Sequence, residues 1–156
     1  MKISEHLDLS EVMRSDMAKR KGISNQPTPQ HLENFKKLAE NVFEPIRKNF
    51  NQPIIISSGY RSKALNEAIG GSSTSQHCKG EAIDIDMDGT SGRITNKMIF
   101  DYIKSNINFD QLIWEFGNNE NPDWVHVSYS STGKQRKEIL KATRNSSGQT
   151  NYQKIN

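Results

Sequence analysis

The sequence predicts an α+β domain, a small and mainly antiparallel sheet with helices packed on it. Three observations carry this. Apolar runs with helical and with strand periodicity alternate along the chain. The strand-like runs 111–116 and 124–129 are close neighbours, joined only by the polar loop 117–123, a pattern of α+β rather than of repeated crossover units. At 156 residues the chain has the length of one domain with a sizeable core. Only 33% of the residues are hydrophobic, but they gather in periodic runs, which favours a small fold with polar loops over disorder. The expectation is a single domain over 1–156, with its core at about 28–130 and a basic tail at 131–156.

The elements follow in order. Residues 8–21 read as a helix, with Asp8 or Ser10 as N-cap, Lys19, Arg20 and Lys21 at its far end and Gly22 as its stop. Asn25 to Pro29 is a turn-rich link. Thr28-Pro29 opens a longer helix, a good cap followed by proline at the first helical position. Leu32, Phe35, Leu38, Ala39, Val42 and Ile46 give it one apolar face. Pro45 should end or kink it. Pro53 to Ser57 is short, β-branched and bounded by turn residues, so it reads as a buried strand. Ser62 to Ile69 is a short helix stopped by Gly70-Gly71, and 72–80 is a loop. Ala82 to Met87 is a strand and Ile94 to Asn106 a helix. In the tail, 138–144 and 149–154 flank Asn145-Ser146-Ser147-Gly148 and suit a terminal hairpin.

Composition removes some functions. The formal net charge is +3, from 21 basic and 18 acidic residues, and the excess sits mostly after residue 130, at Lys134, Arg136, Lys137, Lys141 and Arg144. A basic edge suits an anionic polymer or an ordinary solvated surface. Without interleaved aromatics or a recognisable binding motif, nucleic acid is not expected as a partner. Cys78 is the single cysteine, so no intrachain disulfide can form. Residues 1–20 are charged throughout and show no secretion signal. No run approaches the roughly 20 apolar residues of a membrane span. Synthesis in the cytoplasm, no membrane insertion and a monomer are expected.

The chemistry concentrates in Ser75-Gln76-His77-Cys78-Lys79-Gly80-Glu81-Ala82-Ile83-Asp84 and in Asp123-Trp124-Val125-His126. Side chains alternate across a strand. Asp84 therefore lies on the polar face of its strand, and His126 on the polar face of its own. Neighbouring strands could bring the two together, with His77 supplied by the preceding loop. Two histidines and one aspartate are a ligand set that suits zinc with one position left open. Asp86 shares a face with Asp84, and periodicity alone does not choose between them. His6 and His31 match no motif. Cys78 adjoins His77 and reads as a small filler.

These segments resemble the signatures of the M15 metallopeptidases, the D-Ala-D-Ala carboxypeptidases and related cell-wall endopeptidases. Ser-x-His-x-x-Gly-x-Ala-x-Asp is similar to their first zinc signature and Asp123-Trp124-Val125-His126 to their second. Gly59-Tyr60-Arg61-Ser62 is similar to an arginine block upstream. The blocks keep the family's order over about 55–130. The chain has Asp123 where many carboxypeptidase members have Glu, as several phage endolysin members do. The resemblance implies the compact fold shared by D,D-peptidases and hedgehog-type domains, and selects Asp84 over Asp86. It implies Zn2+ on His77, Asp84 and His126, with Asp123 as catalytic base and acid. Glu115 is the rival base, because Gln111, Ile113 and Glu115 share one strand face. Arg61 is the substrate anchor, and Ser75 and Gln76 line the pocket. Trp114 and Trp124 could flank the cleft, with core packing expected of at least one.

The function implied is hydrolysis of an amide bond in the peptide stem of bacterial peptidoglycan, by carboxypeptidase or endopeptidase action. With no secretion signal visible, action on the wall would follow release through a separate membrane pore, as for phage lysins. The alternative is a non-catalytic, zinc-stabilised wall-binding or virion-structural module of the same fold.

Overall fold

The computed structural model describes residues 1–156. At its centre is a six-stranded sheet of β1 (Ile56–Ser58), β2 (Ala82–Ile85), β3 (Gln111–Glu115), β4 (Trp124–Ser128), β5 (Glu138–Arg144) and β6 (Thr150–Lys154). The spatial order is β1-β2-β4-β3-β5-β6. All pairings are antiparallel except that of β3 with β5. Strand β4 carries the chain back past β3, so β5 reaches the free edge of β3 running parallel to it. This is the α+β, mainly antiparallel architecture that the sequence predicts. The tail forms the hairpin β5–β6, which continues the main sheet rather than standing apart from it.

Alternation gives the sheet two chemical faces. Ile83, Ile85, Leu112, Trp114, Val125 and Val127 are buried on one of them. They share a core with Phe35, Leu38, Val42, Ile46, Ile99 and Ile103 of the helices. Each fully buried side chain of this size contributes roughly 1.5–3 kcal/mol, so this face holds the domain together. Residues outside the expected 28–130 core also join it, namely Ile3, Leu7 and Val12. The opposite face, with Asp84, His126, Ile113 and Glu115, is left for a cleft.

Local signals explain most helix ends. The 8–21 segment is two helices, α1 (Leu9–Met13) and α2 (Asp16–Lys21), rather than one. Asp8 and Glu11 form a capping box on α1. Arg14 then turns extended, and Ser15 Oγ accepts from the Ala18 N–H to start α2. Thr28 caps α3 (Pro29–Leu38) with Pro29 in its first turn. Pro45 does not end the run. A single π turn, Ala39–Phe43, carries the chain from α3 into α4 (Glu44–Phe50), and the Glu44 N–H donates to the Ala39 carbonyl. Pro45 has no N–H for a regular helix and its ring would crowd the carbonyl four residues back; the widened turn relieves this. Strand β1 is an edge strand, so only alternate residues go inside: Ile54 and Ile56 are buried while Ile55 is exposed.

Ser62 caps α5 (Lys63–Ala68), and Thr95 caps α6 (Asn96–Asn106). Helix α6 packs on β3 and β4, and α4 packs on α6. Buried Asn96 ties this side together. Its amide donates to the Asp86 carboxylate and to the Pro122 and Asp123 carbonyls, and its oxygen accepts from the Met87 N–H. No helix is long and apolar enough to cross a membrane.

Candidate active site

Strands β2 and β4 are neighbours, and their register sets Asp84 directly opposite His126. Direct partners on antiparallel strands point to the same face. His77 reaches them from a 3₁₀ turn, Gln76–Lys79, whose cap is Ser75: its Oγ accepts from the His77 N–H at 3.3 Å. Gly80 closes the turn at φ +72°, and a Cβ there would stand 2.4 Å from the His31 carbonyl oxygen of α3. Only glycine meets both demands, which is the physical content of the His-x-x-Gly spacing.

Gly59-Tyr60-Arg61 has a role here beyond its arginine. His77 Nδ1 donates to the Gly59 carbonyl at 2.6 Å, and the Arg61 N–H donates to the His77 carbonyl at 3.2 Å. Gly59 lies against α1 so closely that a Cβ would meet Val12 Cα at 2.7 Å. The block therefore orients the imidazole as well as presenting Arg61, a function the sequence reading missed.

The donor atoms of His77, Asp84 and His126 lie within 4.8 Å of one another. His77 Nε2 is 3.3 Å and His126 Nδ1 is 3.0 Å from the same oxygen, Asp84 Oδ1. Ligand atoms about 2.0–2.2 Å from a tetrahedral metal stand about 3.3–3.6 Å apart, so the set fits such an ion with little movement. Hydrogen bonding points the same way. His77 spends its Nδ1 proton on Gly59, so Nε2 of the neutral ring is a lone pair facing a carboxylate oxygen. His126 Nε2 is buried with no hydrogen-bond partner. A shared cation would resolve the first conflict. Burial alone would raise the Asp84 carboxyl, but in the absence of a cation His77 and His126, when protonated, outweigh it and hold the group well below the usual carboxylate range.

The cluster lies in a cleft of about 900 Å³. Arg61, Ser75, Gln76, His77, Asp84, Glu115 and His126 all line it. Arg61 Nε is buried without a partner. The Gln76 amide nitrogen is already engaged, donating to Asp110 Oδ2 at 3.0 Å and Glu81 Oε2 at 3.3 Å. Gln76 thus fixes the loop and has its carbonyl oxygen left for a ligand. Arg136 grips the same Asp110 through Nε and Nη2, which ties the start of the tail to the His77 turn. Trp124 faces the cleft beside Phe116, ring centroids 5.4 Å apart. Trp114 is in the core against Phe100.

Asp123 is not brought to the cluster. It is exposed, it does not line the cleft, and its backbone is bound to Glu115 and Asn96. Strand parity is the reason. An offset of three residues from His126 puts Asp123 on the other side of the strand. Glu115 occupies the cleft instead, only 7% exposed. Burial pushes its carboxyl up to about 7, with Asp84 adding to the rise and His126, Arg144 and Arg61 opposing it. Asp86 stays out of the cluster, receiving the Asp88 N–H and the Asn96 amide. Burial raises the Cys78 thiol, which is outside the ligand group. His6 binds Glu44 and His31 meets the Tyr60 hydroxyl, and neither belongs to the donor cluster.

A pH effect on stability follows. The Glu115 carboxyl titrates at about 7 when folded against an ordinary 4.5, so the folded protein holds this proton more tightly. The resulting stability is fully present below about pH 4.5 and is lost as the pH rises through about 7. Glu115→Gln should therefore stabilise metal-free protein at pH 8, by on the order of 3 kcal/mol at most, seen as a higher melting temperature. At pH 4.5 it should change little. Thermal melts of both proteins at the two pH values check this.

No curated protein sequence matches the chain. A model of the peptidase M15 family matches residues 5–128. That span covers most of the chain and includes the cluster, Glu115 and the glycine-arginine block that orients His77. The chain belongs to the peptidase M15 family.

Proposed function

We propose that the cleft is the active site of a zinc peptidase that cleaves an amide bond in the peptide stem of bacterial peptidoglycan, next to a D-amino acid. The observation that carries this is Glu115, a buried carboxylate in the same open cleft as the His77, Asp84 and His126 donors. A module that only binds the wall needs no base there.

Zinc in a three-ligand site supplies water acidic enough to attack near neutral pH and a Lewis acid for the scissile carbonyl. His77, Asp84 and His126 would hold it. Glu115, rather than Asp123, takes the proton of the attacking water on a carboxylate oxygen and returns it to the leaving nitrogen. The burial that lifts its pKa keeps both transfers close to neutral pH. Arg61 presents a planar fork of donors to the substrate from the β1 side.

Mass spectrometry of a muropeptide digest tests the reading, because a new fragment identifies both the activity and the bond. The cleft reaches from the ligand strands β2 and β4 across to Thr150 and Tyr152 on β6, room for peptide well beyond the scissile bond, which suits an internal bond better than a chain end. Amidating the terminal carboxylate of the peptide should therefore leave cleavage nearly unchanged, while Arg61→Ala lowers turnover. If Arg61 grips that carboxylate instead, amidation costs about 1.5–3 kcal/mol, roughly 10- to 150-fold. An unchanged muropeptide profile with zinc-loaded protein would rule the peptidase reading out.

A further inference from the structure

The terminal hairpin lies beyond the residues that match the family, yet it walls the cleft. Leu140, Arg144, Thr150 and Tyr152 line it alongside the metal-ligand cluster. Register explains how. Glu115 on β3 stands opposite Ala142 on β5, and Ala142 stands opposite Tyr152 on β6. Paired residues share a sheet face, so the three form one row on the cleft side. Strands are spaced about 4.8 Å apart, so Tyr152 begins roughly 10 Å from Glu115. Between them is the smallest side chain that has a Cβ. Ala142 is fully buried and leaves room above it for a long side chain to lean toward Glu115.

The electrostatics agree with that placement. Burial raises the Tyr152 hydroxyl's pKa, the carboxylates of Glu115 and Asp84 raise it further, and Arg61 opposes them. The phenol thus senses groups on β2, on β3 and at the end of β1, although the residue as a whole is 54% exposed. A phenol near two carboxylates keeps its proton and can act as a donor.

We propose that Tyr152 is a catalytic residue of this cleft, donating its phenolic hydrogen to the carbonyl oxygen of the peptide bond that is cleaved. Negative charge grows on that oxygen as water attacks the carbonyl carbon, and a donor already in place strengthens its hydrogen bond as the charge develops. Arg61 lines the same cleft from beyond β1, at the opposite edge of the sheet. The inference rests on the peptidase reading above.

The test compares zinc-loaded wild type with Tyr152→Phe on a synthetic stem peptide ending in D-Ala-D-Ala. Phe keeps the ring and removes only the donor. Turnover should fall roughly 10²–10³-fold, the usual effect of losing one such donor. KM should stay within about threefold, because the bond matters mainly in the transition state. Zinc content and melting temperature should not move. A Tyr152→Phe enzyme with wild-type kcat overturns the proposal, since a ring that only packs would tolerate the change. A second measurement needs no turnover. Adding the same peptide to Glu115→Gln protein should shift the Tyr152 ring resonances, assigned by their loss in the double variant. Unmoved Tyr152 signals while other cleft signals shift would also overturn it. If wild type cleaved nothing while Tyr152 still responded to peptide, the fault would lie in the peptidase reading and the contact would stand.

Discussion

Glu115→Gln should retain its zinc and its fold but lose roughly 10²–10⁴ in turnover, the usual worth of a general base. The substitution keeps the size and the hydrogen-bonding oxygen of the side chain and removes only the capacity to hold a proton. Asp123→Ala should stay within a few-fold of wild type, because that side chain points away from the cleft. Single-turnover cleavage of a muropeptide by the three proteins, with zinc measured on each, is the check. If the two results were exchanged, the catalytic proton would pass through Asp123, and the β3–β4 loop would have to rearrange on binding substrate. The pH profile gives a further readout. The acidic limb of kcat/KM should reflect the ionisation of Glu115 and vanish in any residual activity of Glu115→Gln.

Removing the ligands should have the larger effect. His77→Ala combined with His126→Ala should leave only background zinc and no measurable turnover. That exceeds the roughly 10–100-fold loss seen when a residue that only supports a ligand is changed. Chelation of wild type should do the same and lower the melting temperature. The His77 turn, β2 and β4 are distant in sequence, and a metal bound only by the folded arrangement stabilises it. At free zinc 1,000-fold above its dissociation constant this amounts to about 4 kcal/mol. For a domain of this length that corresponds to roughly 10 °C. Elemental analysis and melts with and without chelator decide it. Identical melts together with background zinc in wild type would remove the metal from the account.

Glycines, caps and apolar periodicity made much of the fold legible in the sequence. Thr28-Pro29, Gly22 and the alternation at 82–87 and 124–129 act within a few residues, so their consequences can be read one segment at a time. The candidate donors were legible in part for the same reason. Alternation placed Asp84 and His126 on polar strand faces and Ser75 and Gly80 framed the His77 turn, while the choice of Asp84 over Asp86 came from the resemblance to the M15 signatures. Two further features were also local. Ser15 is a cap signal that splits 8–21, and the offset from His126 leaves Asp123 off the cleft face in this structure.

Only the tertiary structure decided the rest, because it depends on which strands become neighbours and in what register. The pairing of β2 with β4 sets Asp84 opposite His126. The stacking of β3 between β4 and β5 buries Glu115 and raises its pKa. The close packing of Gly59 on α1 aims a carbonyl at His77. The row Glu115–Ala142–Tyr152 brings the end of the chain over a site built from its middle. Side-chain type and strand parity are properties of the local chain. Register and desolvation are set by residues far away in sequence, and here they bury Glu115 in the cleft and leave Asp123 exposed.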